Sequence, residues 1–345
     1  MRLRSALATA TAALTVAATC LTAAGAAHAT AAPSPASRAC SPSVAIRGFS
    51  DALDKTTYDG TDVGNLSALA TDRDGTLAAL SDRSALFTLD ARTLQPRRVV
   101  KLTDEAGGAL DSEGLVVDRD GSYLISDEHG PAVRRHARTG EILASLPVPD
   151  ALRVAPAGRA TTNLTFEGLT LLPGGRTLLA SMEAALSGDD TDTVRFQTWR
   201  RTGSGDFRLG AQYGYRADPG LGVPEVTATP DGRLLVLERG YTPGVGNTVR
   251  LYLADPRHAT DTSDVPALTG QDGVRLIRKA LLADLVDCPD LGATAKQPQP
   301  NPLLDNIEAM TVTGRAKDRL DVLLASDDNA SPNQTTRFYA LTVRP

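Results

Sequence analysis

The chain has 345 residues, of which 41% are hydrophobic, 22% charged and 4% aromatic, enough for one sizeable core or two small ones. Its formal charge is −5, and −7 once Arg2 and Arg4 are set aside with the first 29 residues. An acidic chain without a run of Lys and Arg has nothing with which to neutralise phosphates, which excludes nucleic acid as a partner.

Arg2 and Arg4 precede an apolar stretch from Ala6 to Ala24, and Ala27-His28-Ala29 supplies an A-x-A cleavage site. Residues 1–29 therefore read as a signal peptide. The stretch is too rich in Ala and Thr for a spanning helix, which wants ~20 strongly apolar residues. Cys20, preceded by Ala-Ala-Thr, is a poor match to a lipid-attachment site. No later segment is long and apolar enough to cross a bilayer, so the mature chain is expected to be secreted, extracellular, without a membrane span and monomeric. Cleavage leaves Cys40 and Cys288, an even number in an oxidising compartment, and a disulfide between them is expected.

Residues 30–42 form a Pro/Ser/Ala linker with little to bury, and residues 43–345 form the folded domain. Helical periodicity is almost absent there. The exception is a helical-looking Leu276–Leu285. Elsewhere, short apolar runs end in Asp-Gly, Gly-Gly or Pro-Asp-Gly turns, the mark of β-hairpins.

Five of these hairpins belong to a repeat beginning at Asn65, Asp111, Thr165, Val223 and Asn306. Each unit reads as a small or acidic tag, an apolar strand, a turn, a second apolar strand and an acidic end. The intervals leave room for two more polar strands per unit, which is the pattern of a β-propeller blade. A β-sandwich is the alternative, but its strands carry no recurring acidic tag. Five repeats are visible, and the 83-residue interval before the last has room for another. The expected fold is thus an all-β propeller, six blades favoured and five to seven admitted. Val44–Phe49 and the terminal strand after Arg337 are expected to pair and close the ring.

Tags that recur once per blade converge around the channel mouth. One set is Glu113, Glu167, Glu225 and Glu308, with Ser67 in the first copy; the other is Asp82, Asp127 with Glu128, Glu183, Glu238, and Asp327 with Asp328. In an antiparallel hairpin the start of one strand neighbours the end of the next, so both sets approach one rim. Carboxylates crowded in a cavity must protonate or take up a cation. Oxygen ligands without His or Cys suit a hard ion, Ca²⁺ before Mg²⁺. The alternative is that these acids accept backbone N–H bonds or pair with Arg.

The expected metal ligands are Glu113, Asp127, Glu183, Glu238, Glu308, Asp327 and Asn329, with Asn163 and Asn306 as further neutral donors. Glu167, Glu128 and His129 are the candidate catalytic groups; His129 is the one histidine inside a repeat tag. Arg83, Arg195 and Arg239 recur near the tags and suit an anionic substrate. No G-x-S-x-G elbow, P-loop, dinucleotide fingerprint, H-E-x-x-H or C-x-x-C is present, which argues against a serine triad and against nucleotide or zinc chemistry.

The segments at Asp111–Leu115 with Ser126–Pro131, Asn163–Thr170 with Met182–Leu186, Leu237–Tyr241, Asn306–Met310 and Ser326–Asn329 resemble, in that order, the bacterial phytase-like domain family, described as having esterase-like activity of phytase. The resemblance spans roughly 45–343. Ala309 stands where that family usually has Gly, and Gly240-Tyr241 where it tends to have an acid and an aromatic. It implies a secreted propeller with an ester-hydrolase activity on a small or polymeric anionic ester. Two other functions fit the same ring: a lactonase with a central metal, and a non-catalytic module binding an envelope polymer or a protein around a structural Ca²⁺.

Overall fold

The structure, a computed structural model, describes residues 38–203 and 205–345; the signal-peptide reading falls outside them. Twenty-two strands lie in chain order as β1 (Val44–Ser50), the small hairpin β2 (Thr56–Tyr58) and β3 (Thr61–Val63), and then the blades. Blade 1 holds β4 (Leu66–Thr71), β5 (Leu77–Ser81), β6 (Ala85–Leu89) and β7 (Pro96–Lys101). Blade 2 holds β8 (Ser112–Val117), β9 (Tyr123–Asp127), β10 (Ala132–His136) and β11 (Ile142–Ser145). Blade 3 holds β12 (Phe166–Leu171), β13 (Thr177–Met182), β14 (Thr193–Arg201) and β15 (Phe207–Arg216). Blade 4 holds β16 (Gly222–Ala228), β17 (Leu234–Thr242), β18 (Gly246–Asp255) and β19 (Arg278–Asp284). Blade 5 holds β20 (Ile307–Ala316), β21 (Arg319–Ser326) and β22 (Phe338–Val343), with β1 as its fourth strand.

Among the described residues the propeller therefore has five blades, the number of repeats visible in the sequence rather than the favoured six. The long interval before the last repeat makes no blade. It lengthens blade 4 through β19 and then crosses the surface as a Pro-rich loop. The helical-looking Leu276–Leu285 is mostly this edge strand, followed by a single 3-10 turn at Leu285–Asp287. It pairs antiparallel with β18, Ala283 opposite Leu251 and Arg278 opposite Asp255, and tertiary pairing overrides the local preference. The described residues contain no α-helix and no helix able to cross a membrane.

The turns explain the inner hairpins. In four blades a glycine turn joins the first two strands, with Gly75, Gly121, Gly175 and Gly232 each donating to the carbonyl three residues back, and in blade 3 the turn closes one residue later, at Thr177. All four have φ between +66° and +87°, a region costly for any side chain with a Cβ. The inner strands β4, β8, β12, β16 and β20 then pack in sequence around the axis. They approach so closely that a Cβ on Gly114 would lie 2.4 Å from the Glu167 carbonyl oxygen.

Apolar side chains fill the wedges between blades. Leu69, Phe87 and Ala309 pack between blades 5 and 1, and Leu80, Leu115 and Ile125 between blades 1 and 2. Phe166, Trp199 and Val226 join blades 2 to 4, and Leu251, Met310 and Tyr339 join blades 4 and 5. The ring closes where β1 pairs antiparallel with β22, Val44 opposite Val343. Cys40, just before β1, is disulfide-bonded to Cys288, just after β19. The bond staples the outer edges of blades 5 and 4, and closing so long a loop restricts the unfolded chain by up to about 5 kcal/mol. The folded body thus begins at Cys40, inside the stretch expected to be linker.

Candidate functional site

Glu113, Glu167 and Glu308, at the second place of inner strands β8, β12 and β20, face a cavity of about 980 Å³ at one mouth of the channel. Four turns set the register. Counting from each turn, Ser67, Glu113, Glu167 and Pro224 stand at equivalent places on the first strand. Asp82, Glu128, Glu183 and Arg239 stand at equivalent places just beyond or near the end of the second. Blade 5 has a longer hairpin and supplies Glu308 and Asp327. The equivalence shows in the backbone: Asp82, Glu128, Glu183 and Asp327 each donate N–H to the carbonyl of the residue before the tag strand, at 2.7–3.0 Å.

Eight carboxylates line the cavity, those of Asp82, Asp111, Glu113, Glu128, Glu167, Glu183, Glu308 and Asp327, against the two guanidinium groups of Arg83 and Arg239. Their oxygens form two triads, Asp111–Glu113–Glu128 and Glu128–Glu167–Glu183, each within 4.8 Å. Glu128 belongs to both. These groups can hold a metal ion. Burial pushes Glu113 and Glu167 well above the usual carboxylate range, and neighbouring carboxylates push them further. Burial likewise raises Asp82 and Glu128 to about 7, and raises Asp111, Glu183, Glu308 and Asp327. So many like charges so close cannot all ionise unaided.

Arg239 is the one internal cation on this wall. Its Nη2 donates to Glu308 Oε1 at 2.7 Å and to Glu183 Oε1 at 3.4 Å. Burial opposes its charge, but Glu308, Glu183, Glu167 and Asp327 outweigh that and raise its pKa. Arg83 stands at the rim, its side chain 69% exposed. His129 and Asn329, both exposed, and the amides of Asn163, Asn306 and Gln334 are also in the lining. Asn306 Nδ2 donates to Glu308 Oε1 at 3.0 Å.

Three of the expected site residues lie elsewhere. Asp127, the last residue of β9, binds Arg134 and accepts the Asp111 N–H. Glu238 accepts from the Tyr215 hydroxyl, the Asp218 N–H and Lys279 Nζ. In each case the next residue, Glu128 or Arg239, lines the cavity, because neighbours on an extended chain point to opposite sides. Arg195, in β14, is 2% exposed and forms a buried pair with Asp189 and Gln212 far out in blade 3.

Glu225 also departs from its tag. It stands where blade 3 has Gly168, one place beyond Glu167, and accepts the Val226 N–H at 2.8 Å. The N–H groups of Leu169 and Met310 also lie on its carboxyl, which burial holds well above the usual range. Asp111 and Asn247 line the cavity although no site role was expected of them. Asp111 was signalled by spacing, since Asp111/Glu113 and Asn306/Glu308 are i, i+2 pairs that share a face. Nothing in the sequence marks Asn247.

Fold and site together define a five-bladed propeller with an acidic cavity at one mouth. The chain belongs to the phytase-like family, described as esterase-like activity of phytase, which matches residues 61–330. An uncharacterized secreted protein of Arthroderma benhamiae is 31% identical over 124 residues, 28% of this chain and 24% of that one. The chain thus spans about a quarter of the length of the curated relative it matches. Among solved structures, a gluconolactonase from Xanthomonas campestris is 16% identical, with 82% of this chain and 73% of that one covered at a TM-score of 0.41. Virginiamycin B lyase from Staphylococcus aureus is 10% identical, with 84% and 83% covered at a TM-score of 0.38.

Proposed function

We propose that the cavity holds a divalent cation, Ca²⁺ in preference to Mg²⁺, and that the protein hydrolyses phosphate or carboxylate esters there. The observation that carries this reading is the pair of carboxylate triads sharing Glu128, with the guanidinium of Arg239 beside Glu183 in the same cavity. An all-oxygen donor set fits a hard ion. Glu128, Glu167 and Glu183 would hold it, with Asp111 and Glu113 as the adjoining set. When bound, such an ion polarises an ester oxygen and makes a nearby water more acidic.

The chain's own residues do the rest. Arg239, beside Glu183 at the edge of the second triad, receives the anionic part of the ester, with Arg83 guiding it from the rim. Hydrolysis adds water's oxygen to the phosphoryl or acyl centre and breaks the bond from that centre to the alcohol oxygen. Asp82, in the same cavity but outside both triads and raised by burial to about 7, takes a proton from the water, and His129 at the rim returns one to the departing alcohol. Export through residues 1–29 suits this assignment, supported by the Cys40–Cys288 disulfide and by a relative named as secreted.

The test is turnover of p-nitrophenyl phosphate and p-nitrophenyl acetate with and without chelator. Chelation is expected to abolish it and Ca²⁺ to restore it. Glu167→Gln is expected to lower kcat/KM by roughly 100-fold, the loss of about 2.7 kcal/mol of transition-state stabilisation, with an unchanged circular dichroism spectrum. Full activity in excess chelator would end the proposal. A cation that raises the melting temperature while every ester stays intact would make the ring a binding module with a structural ion.

A further inference from the structure

Asn247, at the start of β18, is 1% exposed and lines the cavity, yet neither its Oδ1 nor its Nδ2 has a hydrogen-bond partner. A buried amide with both ends unpaired is rare, and its usual explanation is a missing water, ion or ligand. It does not stand alone. In the β17–β18 ladder Asn247 lies directly opposite Tyr241, and Arg239 is two residues from Tyr241, so the three side chains share one face. The Nε of Arg239 is also buried without a partner, as is the Nε2 of Gln299, whose Oε1 accepts the Asn247 N–H at 2.8 Å. Above them at the rim, Tyr241 is 52% and Leu164 36% exposed, both lining the cavity.

From these residues we infer that the blade 4 wall is a subsite for the alcohol part of the substrate, and that this part is a hydroxylated ring, a sugar carrying a single phosphate or acyl group. The inference rests on the reading of the cavity as an ester site and names the substrate class. An amide offers an N–H donor group and a carbonyl acceptor side by side, to which two neighbouring hydroxyls can bond together because each O–H both donates and accepts. The surrounding wall is dominated by acceptors, Glu183 and Glu308 flanking Arg239, so the neutral portion of a ligand must be rich in donors. A sugar meets that need, whereas the edge of a nucleobase brings one amino group. Tyr241 offers an aromatic face on which the C–H side of a sugar ring can lie. A ring phosphorylated at every hydroxyl is disfavoured, since it has no O–H to donate and brings many negative charges to an acidic wall.

The experiment compares glucose 6-phosphate with p-nitrophenyl phosphate, which shares the phosphate monoester but lacks the hydroxyls. Asn247→Leu and Tyr241→Ala are expected to lower the ratio of kcat/KM for the sugar ester over the aromatic ester at least tenfold. Asn247→Leu should also leave the melting temperature of the ligand-free protein unchanged or raised, because it removes an unpaired buried amide. An unchanged ratio in both variants would overturn the subsite, as would preference for inositol hexakisphosphate over glucose 6-phosphate. If the wild type cleaves neither ester, the hydrolase reading fails separately. Saturation-transfer NMR with methyl glucoside, a neutral probe, then decides the subsite: binding lost in Asn247→Leu supports it, and no binding to the wild type refutes it.

Discussion

Blades 3 and 4 are built on closely related glycine turns and the same kind of inner hairpin, yet they present opposite charges to the channel. Counted from the turn, blade 3 offers Glu167 and Glu183 where blade 4 offers Pro224 and Arg239. The acids of blade 4 are displaced by one residue each: Glu225 turns to backbone N–H groups, and Glu238 to Tyr215 and Lys279. A shift of one place along a strand therefore converts a carboxylate wall into a guanidinium wall, because side chains alternate. The cavity wall thus carries carboxylates from blades 1, 2, 3 and 5 and, from blade 4, one guanidinium held between Glu183 and Glu308. A symmetric ring of acids could bind an ion, but it would repel an anionic ester.

Removing the guanidinium should have the largest effect. Arg239→Gln leaves Glu183 and Glu308 without their shared partner, and breaking a partly buried pair of this kind costs about 3 kcal/mol or more. Urea denaturation of the metal-free protein at pH 8 should show that loss. Excess Ca²⁺ should recover most of it, because an ion neutralises the same carboxylates. The KM for p-nitrophenyl phosphate should rise about tenfold, as expected for a lost charge-assisted contact. A stability unchanged by the substitution would mean that Arg239 does not hold this wall together, and the contrast between the blades would lose its energetic content.

The displaced acid of blade 4 gives the converse test. Glu238→Gln disturbs a buried cluster with Tyr215, Asp218 and Lys279 and should cost about 2 kcal/mol of stability, in the range of hydrogen bonds to charged groups. Isothermal titration with Ca²⁺ should find the affinity unaltered within about twofold. A drop of tenfold or more, as outer-sphere partners of metal ligands can produce, would return Glu238 to the metal site.

That distinction marks what the sequence does and does not disclose. The repeat, the closing strand and the disulfide were legible because each follows from a pattern along the chain: turn chemistry, alternation and an even cysteine count. The acidic mouth was legible too, since tags in register must converge. The doublets were not resolved, because Asp127-Glu128 and Glu238-Arg239 each contain one inward and one outward residue, and composition cannot say which. Counting from the residue whose carbonyl closes the turn, Ser122, Thr177 or Arg233, does say: Glu128, Glu183 and Arg239 stand at the same place and all line the cavity. The blade count lies within the admitted five to seven but is one below the favoured six, for another reason. The stretch between β18 and β20 is long enough for two further strands, and only the pairing of β19 with β18 shows that it extends an existing blade.

The charge asymmetry also has a pH signature. Burial raises the folded-state pKa of Asp82 and Glu128 to about 7 and raises Glu113, Glu167 and Asp327 well above their ordinary values. A group raised in the folded state binds its proton more tightly there than in the unfolded chain. Its favourable contribution is complete below the unfolded pKa near 4 and disappears as pH climbs through the folded value. The metal-free protein should therefore lose stability from about pH 5 to pH 8, by up to about 1.4 kcal/mol per pH unit for each proton released on unfolding. Ca²⁺ competes with those protons, so its stabilising effect should grow over the same interval and its binding should release protons measurable in a weakly buffered titration. Metal-free stability that is flat or rising from pH 5 to 8 would show that the carboxylates of blades 2 and 3 are already relieved by partners within the chain. In that case the acidic side would not require a cation.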